Sequence, residues 1–198
     1  MGFLDTLLGR SKPVRPDLDQ LFGLPSAAVT LEAAAGFRPT GVGSVCFAAV
    51  EGGAFAEVQQ DVRALLDMDT GQGAVPVESV RDAYGYSWLV VRRPAQDLPV
   101  LVGDLHAVNS ALEGHGFGPQ LLCSLAAFRD DAGRSLALVY LYKRGTFYPM
   151  CIRPDLRKRD NALELEVSAL LGNDLRIEPD LGRWFPLYDA PGVGGEGQ

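Results

Sequence analysis

Residues 120–152, QLLCSLAAFRDDAGRSLALVYLYKRGTFYPMCI, contain three apolar runs separated by two short polar segments. The runs QLLCSLAAF (120–128), RSLALVYLY (134–142) and TFYPMCI (146–152) have the length and apolar character of buried strands. The segments between them are short, and each contains a glycine, so consecutive strands are expected to pair as antiparallel neighbours. This stretch therefore predicts three neighbouring strands of an antiparallel sheet.

Helical and strand-like patterns alternate irregularly on both sides of this stretch. Helices are predicted for the segments LDQLF after Asp17, FAEVQQDVRALLDM, LVGDLHAVNSALEG and NALELEVSALLG, the last with Asp160 as N-cap. VGSVCFAAV reads as a buried strand, VPVESVRDAYGYSWLVVRRP as a hairpin that turns at residues 84–86, and SAAVTLEAAAGF fits either helix or strand. Strands clustered between helices predict an α+β fold, a single domain in which helices pack on a mainly antiparallel sheet.

The domain boundaries follow from prolines and glycines near the two ends. Residues 1–16 are interpreted as an amphipathic segment and linker, because RSKPVRP cannot continue a helix. Residues 17–188 are expected to form the globular domain. The remainder, 189–198, includes PGVGGEGQ and is predicted to be a disordered tail.

Charge and composition restrict the classes of partner. The formal net charge of −7 disfavours a general affinity for nucleic acid, whose phosphates require clustered Lys and Arg. No apolar run is long enough to span a membrane. The three cysteines lie inside apolar runs without CxxC spacing, which is typical of reduced, buried thiols in a cytoplasmic protein.

No motif predicts a reaction centre, a metal site or a cofactor. Asp104 and His106 lie two residues apart on a predicted helix and therefore point in different directions. Glu178 and Asp180 flank a proline and are interpreted as solvated turn residues. An enzyme remains an alternative, and it would require a concave pocket lined by some of Asp82, Tyr84, Tyr86, Trp88, His106, Lys143 and Tyr148.

Two surfaces are candidates for membrane or partner contact. The first is the N-terminal pattern MGFLDTLLGRSKPVR, which combines apolar Phe3, Leu4, Leu7 and Leu8 with basic Arg10, Lys12 and Arg15. Alone it should bind weakly, so a second signal is needed. The second surface is a basic patch made by Lys143, Arg144, Arg153, Arg157, Lys158 and Arg159.

Several long strings of the chain resemble the actinobacterial PspA-associated proteins called PspAB. They are MGFLDTLLGRSKP, LPSAAVTLEAA, TGVGSVCF, YGYSWLVV, DLHAVNSALE, GFGPQLLCSL, LVYLYKRGTFYPM, RDNALELEV and EPDLGRWFPL. The resemblance implies a small cytosolic factor encoded beside the phage-shock protein PspA, in a bacterial response to envelope stress. It brings no catalytic or binding residues with it.

Together, the residues and the resemblance predict a non-enzymatic adaptor that associates with PspA or a related membrane-stress protein, peripherally at the anionic inner membrane surface. The alternative is a dimer similar to secretion chaperones, which holds extended client segments; an uncharacterised enzyme is a third reading. Whether the chain forms a homodimer stays open.

Overall fold

In the computed structural model, which describes residues 16–48, 53–68, 77–153 and 158–193, the apolar runs of residues 120–152 form three consecutive antiparallel strands, as predicted. The described helices are a 3₁₀ helix at Leu18–Gly23, α1 (Leu24–Ala35), α2 (Gly53–Met68), α3 (Leu98–Gly114) and α4 (Asn161–Leu170), with single 3₁₀ turns at Ala95–Asp97, Gly118–Gln120 and Leu181–Arg183. The described strands are β1 (Arg38–Phe47), β2 (Glu78–Arg81), β3 (Ser87–Arg92), β4 (Leu121–Arg129), β5 (Ser135–Leu141), β6 (Thr146–Arg153) and β7 (Lys158–Arg159).

The seven strands form one sheet in the order β2-β3-β1-β4-β5-β6-β7, and every neighbouring pair is antiparallel. Strand β1 is inserted between β3 and β4, so residues far apart in the chain become cross-strand partners. Cys46 of β1, for example, lies opposite Trp88 on one side and Cys123 on the other. The predicted α+β class with a mainly antiparallel sheet is confirmed.

The described parts of all four α-helices pack on one face of the sheet. Helix α3 lies closest to the centre, and its buried side chains Leu101, Leu105, Val108 and Leu112 form the predicted apolar stripe. Gly43 of β1 lies beneath this helix, where an added Cβ would come within 3.1 Å of Leu105. A side chain at residue 43 would therefore require the leucine side chains of α3 above it to shift by a few tenths of an ångström.

The first ten residues of the ambiguous segment SAAVTLEAAAGF, 26–35, are helical in the structure and belong to α1. Pro25 in its first turn and Gly36, which follows the last residue with a φ of +72°, are typical of a helix start and a helix end. Alanine and leucine therefore outweigh the short β-favouring Val29-Thr30-Leu31. Helix α4 is capped as predicted, since Oδ1 of Asp160 accepts a hydrogen bond from the N–H of Leu163 at 3.2 Å.

The opposite face of the sheet carries none of the described helices. It is covered by the C-terminal segment 184–193, whose buried residues Trp184, Ala190 and Val193 pack on the sheet. Ala190 and Val193, in the first part of the segment 189–198 that is interpreted as a tail, are small buried apolar residues of the cluster on this face. Gly192 fits there with a φ of +85°, because a Cβ at this position would lie 2.8 Å from Val42 and 3.1 Å from Ala127.

Candidate functional site

A cavity of about 530 Å³ lies on the face that carries none of the described α-helices, between the sheet and the C-terminal segment. Its floor is formed by buried side chains of β1, β3, β4, β5 and β6, namely Cys46, Trp88, Cys123, Leu141 and Tyr148. Its walls come from the turn before β3, the turn after β5 and residues 183–190. This volume falls in the range of sites that hold small molecules or side chains of a partner.

Aromatic side chains surround the mouth of the cavity. Tyr84 is 70% exposed, Phe185 is 53% exposed and Tyr86 is 44% exposed, and all three line the opening. We call these three residues the aromatic rim. Exposed aromatic groups that ring an apolar depression are typical of binding surfaces, because they offer large contact areas with few rotatable bonds.

Asp82 positions one side of the rim. Its Oδ1 accepts hydrogen bonds from the backbone N–H groups of Tyr84 and Tyr86, both at 2.9 Å, and its Oδ2 accepts one from Nε1 of Trp88 at 3.0 Å. Asp is common in such turns, because its short side chain can accept a hydrogen bond from the backbone N–H of the residue two positions later. The carboxylate of Asp82 is thereby engaged in holding the hairpin.

Tyr148 fastens the C-terminal wall of the cavity to the sheet. Its hydroxyl donates a hydrogen bond to the backbone carbonyl of Phe185 at 2.9 Å, and its ring stacks on Trp184 at a centroid distance of 5.9 Å. The N–H of Leu187 contacts the sulfur of Met150 at 3.0 Å. Burial raises the pKa of Tyr148, so its hydroxyl stays protonated and remains a donor.

Glu178 lies beneath the turn that carries Lys143. The interpretation of Glu178 as a solvated turn residue is wrong. The residue is fully buried, and its carboxylate accepts hydrogen bonds from Arg144, from Thr146 at 2.7 Å and from the N–H of Asp180 at 3.1 Å. Burial alone would raise the pKa of Glu178, but these donors and the positive charge of Arg144 lower it below its usual value.

The two thiols on the cavity floor face each other. Cys46 and Cys123 are cross-strand partners, and the hydrogen bond between the two thiols, together with burial, raises the pKa of Cys46. A thiol with a raised pKa is a poor nucleophile, because the thiolate is the reactive form. The floor of the cavity therefore offers an apolar surface without a reactive thiolate.

The structure brings six of the seven residues of the enzyme alternative together at this cavity. Asp82, Tyr84, Tyr86, Trp88, Lys143 and Tyr148 all line it. His106 lies on the helical side of the sheet, where its ring is 5.0 Å from that of Phe22 and its Nε2 is 3.4 Å from Asp19. Since Asp82, Trp88 and Tyr148 already bond to neighbouring groups, the arrangement is better suited to holding a ligand than to moving a proton.

The basic residues predicted as a patch have different environments. Arg144 binds Glu178, and Arg159 binds the buried Glu164 through Nη2 at 2.7 Å. Arg153 also makes an interaction, whereas Lys143 and Lys158 are exposed. Arg157 and the N-terminal residues Phe3, Leu4, Leu7, Leu8, Arg10, Lys12 and Arg15 lie outside the described residues.

Within the described ranges, no three His, Cys, Asp or Glu side chains converge as metal ligands. None of the helices in those ranges combines the length and the apolar character that crossing a bilayer requires.

Sequence reasoning missed the C-terminal wall and the thiol pair. Phe185, Leu187 and Ala190 reach the cavity from an irregular segment without periodicity, so no pattern indicates the face they pack on. The spacing of Cys46 and Cys123 likewise carries no signal, because their contact arises from the non-consecutive pairing of β1 with β4.

Comparison with protein families gives one match over nearly the whole chain. A family described as PspAB, PspA associated protein B, matches residues 1–192. No curated protein and no solved structure matches the chain.

Proposed function

Because the chain belongs to the PspA-associated protein B family, we propose that it acts in the PspA system as a non-enzymatic adaptor that binds its protein partner through the aromatic rim. In this proposal the partner is PspA or a related membrane-stress protein. The adaptor works in the cytoplasm, peripherally at the inner membrane surface.

The exposed aromatic rim is the observation that carries this proposal. Tyr84, Tyr86 and Phe185 form the edge of an apolar depression on the face that lacks described helices. Protein interfaces are enriched in such residues, and a few aromatic anchors supply most of the binding free energy. The polar residues nearby favour the same conclusion, since Asp82 and Tyr148 are engaged in holding the walls of the cavity.

A pull-down from envelope-stressed cells tests whether the aromatic rim binds PspA. The amount of PspA recovered with the tagged protein is the measured quantity. We expect the double variant Tyr84→Ala, Phe185→Ala to recover at least about tenfold less PspA than the unaltered chain, as for the loss of interface anchors. Phe22→Ala is the matched control, because Phe22 is 54% exposed, almost the same as Phe185, but lies beside His106 on the helical side. Equal recovery with the rim variant and the control would exclude the rim as the docking surface.

Membrane association is a separate part of the proposal, and it rests on the N-terminal sequence. Phe3, Leu4, Leu7 and Leu8 would insert at the interface, while Arg10, Lys12 and Arg15 would contact anionic head groups. Sedimentation with anionic liposomes should carry down the intact chain in larger amount than a chain lacking residues 1–12. Equal sedimentation of both chains would remove the N-terminal segment from this role.

A dimer that holds extended client segments is the second candidate function. The exposed rim beside an apolar cavity favours it as well, because such a surface accepts apolar side chains of many sequences. Light scattering after size-exclusion chromatography measures the mass of the protein in solution and so tests whether it is a dimer. A competition experiment tests client binding, because an unfolded polypeptide should displace PspA only if the surface binds apolar segments of many sequences. If the protein is a monomer and the unfolded polypeptide does not displace PspA, the adaptor function is supported and the chaperone-like function is contradicted.

A further inference from the structure

The charged residues of the cavity differ in whether they have partners. Asp82 binds the hairpin and Trp88, Arg144 binds Glu178, and Arg183 lies 3.2 Å from Asp180. Asp189 also makes an interaction. The ammonium group of Lys143 has no ion-pair or hydrogen-bond partner within the described part of the chain, although the residue lines the cavity.

Among the described residues, the cavity combines an apolar enclosure with one unpaired cation at its edge, which is a chemically specific arrangement. The floor consists of thiol, leucine and aromatic groups, which favour an apolar occupant. Lys143 stands on the turn between β5 and β6, where a long flexible side chain can reach an anion at the mouth while its stem lies along apolar surface. A single ammonium group suits a singly charged head, whereas proteins usually bind phosphate with several donors.

We propose that this cavity binds a single-chain fatty carboxylate, with the hydrocarbon chain on the floor and the carboxylate on Lys143. The proposal goes beyond the adaptor role, because it concerns the interior of the cavity and not the rim that is assigned to the protein partner. Carboxylate binding and PspA recovery are separate measurements, so either proposal can fail without the other. A ligand in the cavity would contact both Trp88 on the floor and the C-terminal wall.

Titration of the full-length protein with octanoate, decanoate and dodecanoate below their micelle concentrations tests the hydrocarbon part. Calorimetry gives the affinity, and a change in tryptophan fluorescence, to which Trp88 on the floor contributes, reports occupancy of the cavity. Each added pair of methylene groups should tighten binding about tenfold until the cavity is filled. Affinity that does not change with chain length would overturn the proposal.

Comparison of head groups tests the role of Lys143. Decanoate should bind at least about fivefold more tightly than decanol, and decylamine should bind more weakly than either. Lys143→Ala should abolish the preference for decanoate over decanol while decanol still binds, and Lys143→Arg should restore it. Lys158→Ala is the matched control, because Lys158 is also exposed but does not line the cavity. A preference for decanoate that survives in Lys143→Ala would contradict the proposal.

A substitution that fills part of the cavity tests where the ligand binds without changing any charge. Leu122 is half-buried and lines the cavity, so Leu122→Trp should fill part of it and weaken decanoate binding by at least about tenfold. An unchanged far-ultraviolet circular dichroism spectrum shows that this variant is folded. If no carboxylate binds the unaltered chain while the rim variants still lose PspA, the cavity belongs to the protein interface and the proposal fails.

Discussion

The guanidinium of Arg144 lies against the fully buried carboxylate of Glu178, with Nε at 3.1 Å from Oε2 and Nη2 at 3.4 Å from Oε1. The two residues are 34 positions apart in the chain. Their contact joins the turn between β5 and β6 to the segment that leads into the C-terminal wall of the cavity. The position of Lys143 therefore depends on an ion pair beneath it.

Removing the cation of this pair should destabilise the domain strongly. Arg144→Ala leaves the carboxylate of Glu178 buried with its countercharge removed, and we expect a loss of about 3 kcal/mol in the free energy of unfolding. Urea denaturation followed by tryptophan fluorescence measures it. Arg38→Ala is the control, since Arg38 forms exposed pairs with Glu32 and Asp131 and should contribute much less to the free energy of unfolding. Equal losses in both variants would show that burial of Glu178 does not matter.

The same pair predicts a specific dependence of stability on pH. The folded state lowers the pKa of Glu178 from its ordinary value of 4.5. Its contribution is therefore present above about pH 4.5 and is lost as the pH falls through the folded pKa. In Glu178→Gln this contribution is absent, so the unaltered chain should be more stable at pH 7, and the two unfolding free energies should converge on acidification. A constant difference between pH 7 and pH 3 would contradict the assigned pKa direction.

The sheet was accessible to prediction because its signals are local. The runs 121–129, 135–141 and 146–153 are almost entirely buried, and short polar turns connect them, so apolar character and turn length were sufficient. The hairpin at Tyr84–Tyr86 was equally local, since Asp82 caps it from two residues away. Patterns of this kind depend on neighbours in sequence.

The cavity was only partly predictable because its other contacts are distant in sequence. The six polar and aromatic residues that meet there were named as candidates, but the meeting depends on the insertion of β1 between β3 and β4. The hydroxyl of Tyr148 donates a hydrogen bond to the carbonyl of Phe185, 37 positions later in the chain. The carboxylate of Glu178 pairs with Arg144, 34 positions earlier. In the local sequence IEPD, nothing distinguishes the buried Glu178 from the exposed Asp180.

The three thiols should be unreactive in the native protein. Burial raises the pKa of Cys151, and the thiol contact with Cys123 together with burial raises that of Cys46. We expect Ellman's reagent to modify the native protein at least about a hundredfold more slowly than the urea-unfolded chain, in which all three cysteines react. One rapidly modified thiol in the native state would mean that either the cavity floor or the helical side of the sheet is open to a charged aromatic reagent. Cys151→Ala then assigns the site, because Cys151 packs on the helical side of the sheet.

The C-terminal wall depends on Gly192, and substitution there should release it. Gly192 has a φ of +85°, and an added Cβ would meet Val42 at 2.8 Å and Ala127 at 3.1 Å. Gly133→Ala is a matched control, since Gly133 has a φ of +79° but open space around it. The control should cost about 1 kcal/mol of unfolding free energy through backbone strain alone, and Gly192→Ala about 1–3 kcal/mol more through the clash. Acrylamide quenching of tryptophan fluorescence should also rise in Gly192→Ala, because Trp184 belongs to the same buried cluster as Ala190 and Val193. Equal costs and unchanged quenching in the two variants would show that residues 190–193 do not hold the wall of the cavity in place.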